Sequence, residues 1–268
     1  MTLLDGQVAL VTGAGRGFGR TIAERLAAQG AKVALASRSP DQLEDVAESI
    51  RAGGGTACTA PCDVTDAASI SSAIDAVEGQ LGAIDLLVSN AGVPGPFGPL
   101  WEVEAEEWWN SQQVHIRAPF LLMQRILPGM VERGRGRVIC ISAKAVRIVA
   151  PHLSAYCVGK VALNRLVEQA GAELAGTGVA AFALDPGFAF TQLGRDTMEH
   201  PDAQKYLGGM VERLKSRETE PDGKVDLDRT AERCADLAGG KYDALSGGFV
   251  TLDDDLVALL AEREAGEV

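Results

Sequence analysis

The stretch Val8-Ala9-Leu10-Val11-Thr12-Gly13-Ala14-Gly15-Arg16-Gly17-Phe18-Gly19 decides how the rest of the chain is read. A short apolar run breaks into alternating glycines, and an apolar-periodic segment over residues 18–29 follows at once. Strand, tight turn and helix in that order leave backbone N–H groups and the positive end of a helix facing outward, where a pyrophosphate can lie. Gly13, Gly17 and Gly19 let the backbone bend sharply and approach the phosphates, with Arg16 and Phe18 set between them.

Outward from this unit the same alternation continues. Short apolar runs at 33–36, 57–60, 84–89, 137–141, 179–184 and 248–252 read as strands. Segments at 41–52, 67–80, 105–132, 154–175 and 228–237 repeat apolar residues every three or four positions and read as helices. Seven strands alternating with helices predict an α/β fold, a Rossmann-type doubly wound parallel seven-stranded sheet with helices on both faces. No linker divides the 268 residues, so one domain spanning 1–268 is expected. The charged, irregular stretch 188–224 follows the sixth strand at the carboxyl end of the sheet, and reads either as a substrate lid or as a helical hairpin that only packs.

Composition narrows the function. The chain is 46% hydrophobic and 23% charged, with mean hydropathy near zero, which describes a globular protein and not a membrane-spanning one. A net charge of -12 repels nucleic acid and anionic lipid. The first residues lack the basic start and long apolar core of a secretory signal, so a cytoplasmic protein is expected. Cys58, Cys62, Cys140, Cys157 and Cys234 form no CxxC pair and no Cys/His cluster, which fits free thiols in a reducing compartment and gives no metal site.

The second strand ends in Ala36-Ser37-Arg38-Ser39, with no acid to meet the ribose hydroxyls of NAD. Arg38 and Arg16 offer guanidinium groups to a 2'-phosphate, and Ser37 offers a hydroxyl, so NADP(H) is the expected cofactor and NAD(H) the alternative.

With these residues in view, the chain resembles the short-chain dehydrogenase/reductase family from about residue 7 to residue 252. The resemblance is carried by the TGxxxGxG loop at 12–19, Asp63-Val64, the Asn90-Ala91-Gly92 turn, the Tyr156/Lys160 pair of YxxxK, and Pro186-Gly187 with Thr191. It implies that Asp63 and Val64 meet the adenine, that Asn90, Ala91 and Gly92 line the cofactor, and that Pro186, Gly187 and Thr191 hold its carboxamide end. Tyr156 and Lys160, four residues apart, share one helix face, so the ammonium together with an oxidised nicotinamide should make the phenol more acidic. The resemblance makes Tyr156 the acid/base of hydride transfer and has Lys160 also bind the nicotinamide ribose.

Two positions depart from the family pattern. Ala143 stands thirteen residues before the tyrosine, where the family has a serine; the neighbouring Ser142 is the candidate catalytic hydroxyl in its place, although on a strand it points to the opposite face unless a bulge re-aims it. His115 stands where the family has an asparagine that supports a water, and reads either as a proton-relaying catalytic residue or as a satisfied buried histidine. Two functions stay open: a reductase interconverting a hydrophobic ketone and secondary alcohol, or a non-redox relative (cyclase, dehydratase, isomerase or NADP(H)-binding protein) that has lost hydride transfer. The apolar set Val93, Val149, Phe188 and Phe190, with His152, is the expected substrate wall. The helices at 105–132 and 154–175 are the expected contacts of a homodimer or homotetramer. The acidic stretch 253–268 reads as helix-prone, either a solvated tail or an arm onto a neighbour.

Overall fold

In the computed structural model, which describes residues 2–265, the glycine turn sits in the middle of the sheet. The strands are β1 (Val8–Thr12), β2 (Lys32–Ser37), β3 (Thr56–Pro61), β4 (Leu86–Ser89), β5 (Gly136–Ile141), β6 (Val179–Leu184) and β7 (Phe249–Val250). They pair in the order β3-β2-β1-β4-β5-β6-β7, all parallel. Winding runs outward from β1 to β3 and then restarts at β4 on the other side of β1. The order therefore reverses between β1 and β4, and the loops leaving these two strands diverge to open a crevice there.

Both faces of the strands are apolar because both are covered. Ala9, Val11, Val33 and Leu35 face a layer made by α1 (Gly17–Ala28), α2 (Pro40–Ala52) and α10 (Val225–Ala238). Val8, Leu10 and Ala34, the residues between them, face α3 (Ala67–Leu81), α5 (Ala118–Arg133) and α6 (Ser154–Glu173). This period of two, apolar on both phases, is what made the strands visible in the sequence.

The segment 105–132, expected as one helix, is two. Helix α4 (Ala105–Gln112) passes into a π-helical turn, Gln113–Arg117, before α5 begins. Pro119 supplies the reason. It has no N–H for the His115 carbonyl, and the chain widens so that Ala118 donates to Gln113, five residues back. The seventh strand shrinks to two residues, and the stretch 188–224 holds three short helices, α7 (Gln192–Glu199), α8 (Pro201–Tyr206) and α9 (Gly208–Thr219). Part of the acidic terminal stretch forms α11 (Leu256–Ala265), whose Leu256 is buried against the first layer; residues 266–268 lie outside the described part. Among the described residues no helix is long and apolar enough to cross a membrane.

Candidate active site

The crevice is locked by one threonine and one asparagine. The Thr12 hydroxyl accepts the backbone N–H groups of Asn90 (3.0 Å) and Ala91 (3.2 Å), while Asn90 Nδ2 donates to the carbonyls of Thr12 (2.9 Å) and Gly13 (3.3 Å). The α1 backbone comes so close to this clamp that a Cβ at Gly19 would strike the Gly13 carbonyl oxygen and lie 2.6 Å from Asn90 Nδ2. Arg16 caps α1 without a side-chain hydrogen bond, which leaves the first helical N–H groups to whatever enters the loop. Thr191, the residue before α7, lies against Gly17 on the other side.

At the far end of the crevice Ser37 and Gln42 flank Gly15. Arg38 is exposed beside Asp63, whose carboxyl is held below its usual range by hydrogen bonds from the Thr65 backbone and hydroxyl and, to a lesser extent, by the Arg38 charge. Val64 is buried next to it. Arg16 makes a 3.7 Å ion pair with Asp196 of α7; both side chains are about half exposed, and such a pair is readily given up. Gln42 carried no signal in the sequence reading: a glutamine in a helix's first turn is ordinary.

Tyr156 and Lys160 share the α6 face as their spacing requires, with Lys160 Nζ 5.7 Å from the centre of the phenol ring. Lys160 is 4% exposed and donates to the Ile141 carbonyl at the end of β5 (2.8 Å). Burial brings its ammonium down to about 8. The expected acidification of Tyr156 is not found in the protein alone. Burial pushes the phenol above its ordinary value, and the negative charge of Asp185 pushes it the same way. The resting tyrosine is therefore a protonated acid.

His115 faces this pair from the π-helical turn, its ring edge-on to Tyr156 at 5.4 Å. It is 1% exposed, and Gly159 lets it in: a Cβ there would lie 2.8 Å from the histidine Cβ. Nε2 lies 2.9 Å from the Val93 carbonyl, which can only accept, so Nε2 carries the proton. Burial first, and the Lys160 charge second, lower the imidazole to about 3, and it stays neutral. Its Nδ1 is then a bare acceptor, buried and without a partner among the described residues. Ser142 has a different fate. Its hydroxyl, 1% exposed, donates to Asn164 Oδ1 (2.5 Å) on α6, two buried groups satisfying each other. No bulge re-aims it, and Ala143 next to it stays extended.

The apolar side of α7–α9 closes over Tyr156. Met198, Leu207 and Met210 pack with Tyr156 and Cys157 around Phe97, Leu153, Ala203 and Val211. The Tyr206 ring stacks on His152 (5.0 Å), and its hydroxyl donates to Glu102 (3.2 Å). His152 adopts a left-handed φ of 67°, rare for a residue with a side chain. Of the other expected wall residues, Phe188 is half-buried under the Arg213 guanidinium, Phe190 is buried between α7 and α9, and Val149 stands 94% exposed. The Pro186-Gly187 turn is fixed by Thr230, whose hydroxyl donates to the Pro186 carbonyl (2.8 Å).

The family profile described as short chain dehydrogenase matches residues 7–202. The chain belongs to the short-chain dehydrogenases. A short chain dehydrogenase of Pseudocercospora fijiensis (strain CIRAD86) is 35% identical over 271 residues, covering 98% of this chain and 86% of its own. The crystal structure of a gluconate 5-dehydrogenase from Burkholderia cenocepacia J2315, in complex with NADP and tartrate, superposes with a TM-score of 0.80 at 30% identity over 95% of this chain and 96% of that one. An actinorhodin polyketide ketoreductase with NADPH gives 0.82 at 30% identity, covering 94% and 97%. Like its relatives, this short-chain dehydrogenase is an NAD(P)-dependent oxidoreductase. The uncapped start of α1, beside the clamp of Thr12 and Asn90, fits the phosphates of such a cofactor.

Proposed function

We propose that this short-chain dehydrogenase is an NADP(H)-dependent reductase that converts a hydrophobic ketone into a secondary alcohol, with Tyr156 as the proton donor. The observation that carries the reading is Tyr156 itself: a protonated phenol beside a buried lysine, under an apolar lid, at the end of the glycine crevice. Gly13, Arg16, Gly17, Phe18 and Gly19 hold the pyrophosphate, and Asn90, Ala91 and Gly92 line its path. Asp63 and Val64 meet the adenine; Pro186, Gly187 and Thr191 hold the carboxamide end. When bound, the reduced cofactor supplies the hydride.

The rest is done by the chain. Tyr156 gives its proton to the carbonyl oxygen, and Lys160 steadies the phenolate left behind and binds the nicotinamide ribose. His115, neutral, accepts a hydrogen bond at Nδ1 and so holds the donor that returns a proton to the site. Ser142 holds Asn164 and thereby the seat of α6. Preference for NADP(H) is supported by the missing acid after β2, by exposed Arg38 and loosely held Arg16, and by the nucleotides in the two solved relatives. A hydrophobic substrate is supported by the lid's methionines and leucine, with Val93 and His152 at its edge, Phe188 and Phe190 behind and Val149 at the mouth. Exposed Phe120, Val158 and Val161 on α5 and α6 support a homodimer or homotetramer through these helices.

The test is consumption of NADPH against a panel of hydrophobic ketones. The wild-type protein should oxidise NADPH only when a ketone is present, and Tyr156→Phe should lower kcat by about 100-fold or more without loss of NADPH binding. Arg38→Asp should reverse the preference for NADPH over NADH. Tight NADPH binding with no turnover on any carbonyl would overturn this reading in favour of a non-redox step, which Ala143, lacking the usual hydroxyl, would then explain.

A further inference from the structure

Gln112, the last residue of α4, is 3% exposed, and its amide is only half used. Nε2 donates to the Trp108 carbonyl of its own helix (3.2 Å) and to the Ala155 carbonyl of α6 (3.0 Å). Oε1 is buried and accepts nothing among the described residues. A buried amide left half satisfied costs stability, and an apolar side chain of similar length would avoid that cost. Folding alone therefore gives no reason for a glutamine at this position.

The two ends of the amide rest on one turn of α6. A Cβ at Gly159 would lie 2.9 Å from Oε1, so the side chain spans from Ala155 to Gly159, and the residues that follow these two are Tyr156 and Lys160. In an α-helix the carbonyl of residue 155 takes the N–H of residue 159, and its second lone pair is free for the amide of Gln112. Gly95 closes on the same turn from the loop after β4: a Cβ there would lie 3.2 Å from the Ala155 Cβ and 3.7 Å from the Tyr156 nitrogen. One residue before Ala155, the Ser154 hydroxyl accepts Trp108 Nε1 (3.2 Å). Helix α4 thus ties down the start of α6 through Trp108 and Gln112, and the buried tie ends on the residue next to the phenol.

We infer that Gln112 is a positioning residue of this site: by holding the Ala155 carbonyl it fixes the α6 turn that carries Tyr156 and Lys160, and with it the place of the phenol. The inference rests on the assignment of Tyr156 as the proton donor, and names the residue outside α6 that keeps that donor in register.

Gln112→Met keeps the length of the side chain, removes the donor and removes the unpartnered oxygen. The Trp108 and Ala155 carbonyls keep their helical partners, so the melting temperature should stay level or rise. The kcat for ketone reduction should fall about tenfold or more, as expected when a reacting group is slightly displaced, while the Kd for NADPH stays within about twofold. Backbone hydrogen exchange over residues 154–160, measured without cofactor, should be faster than in the wild type. Trp108→Phe cuts only the tie to Ser154 and should lower kcat by less, about two- to threefold. Wild-type kcat or unchanged exchange in Gln112→Met overturns the inference. So does a Gln112→Met protein that melts lower, binds NADPH more weakly or does not fold, since these mark a residue that only supports the structure. If exchange quickens but the wild-type protein reduces no ketone, the hold of Gln112 on α6 stands and the assignment of the proton donor fails.

Discussion

At the β1–β4 crevice nearly every contact is backbone to backbone or a short side chain to backbone, whereas over Tyr156 the walls are side chains drawn from the π-helical turn, the β5–α6 loop and α7–α9. At Gly19 the first kind of site has no room for an added atom, because the Gly13 backbone cannot turn aside. The second can be repacked, since side chains change rotamer and the three short helices are tied down by single contacts such as Tyr206 to Glu102. The crevice is therefore built into the fold, and the side-chain walls over Tyr156 are laid over it.

The contrast is most sharply tested at Gly19. Gly19→Ala sets a methyl against the Gly13 carbonyl and Asn90, and the loop has to move; a drop in stability of about 2 kcal/mol or more is expected, together with loss of NADPH binding, measured by thermal melting with and without cofactor. An alanine at this position that melts and binds like wild type would mean that the crevice is as soft as the three short helices.

A smaller effect comes from the histidine at the border of the two regions. His115 titrates near 3 when folded and near its ordinary value when unfolded, so between those values the unfolded chain binds the extra proton. Stability from this group is fully present above about pH 6.5 and falls by up to about 1.4 kcal/mol per pH unit as the solution is acidified towards the folded value. Denaturant melts from pH 7 to pH 4.5 should show this slope in the wild type and a shallower one in His115→Gln.

The smallest expected effect on activity is at Ser142. Ser142→Ala leaves Asn164 Oδ1 without its donor and should lower stability by about 1–2 kcal/mol while kcat/KM on a ketone stays within about twofold. A large fall in kcat with unchanged melting would instead make the hydroxyl a participant in the chemistry.

The same division explains what could be read in advance. The glycine turn, the strands and the Tyr156/Lys160 pair depend on local periodicity and spacing, which survive in one dimension. The break at 113–117 was masked because apolar spacing continues across it, although Pro119, four residues after His115, was the available sign. Ser142 could be placed by strand alternation, but its partner Asn164, twenty-two residues on, could not. The burial that raises the Tyr156 phenol in the protein alone could not be read from spacing, which shows only that Lys160 is near.

The π-helical turn also constrains how this protein can change. Deleting one residue between Gln113 and Arg117 would remove the extra residue of the turn while leaving Pro119 without an N–H, and everything after the deletion would rotate by about 100° about the axis. Leu122, Met123 and Ile126, now buried against the sheet, would swing off the core. The extra residue is thus a phase setting shared by the imidazole and by the helix that follows, so drift at one is disciplined by the packing of the other.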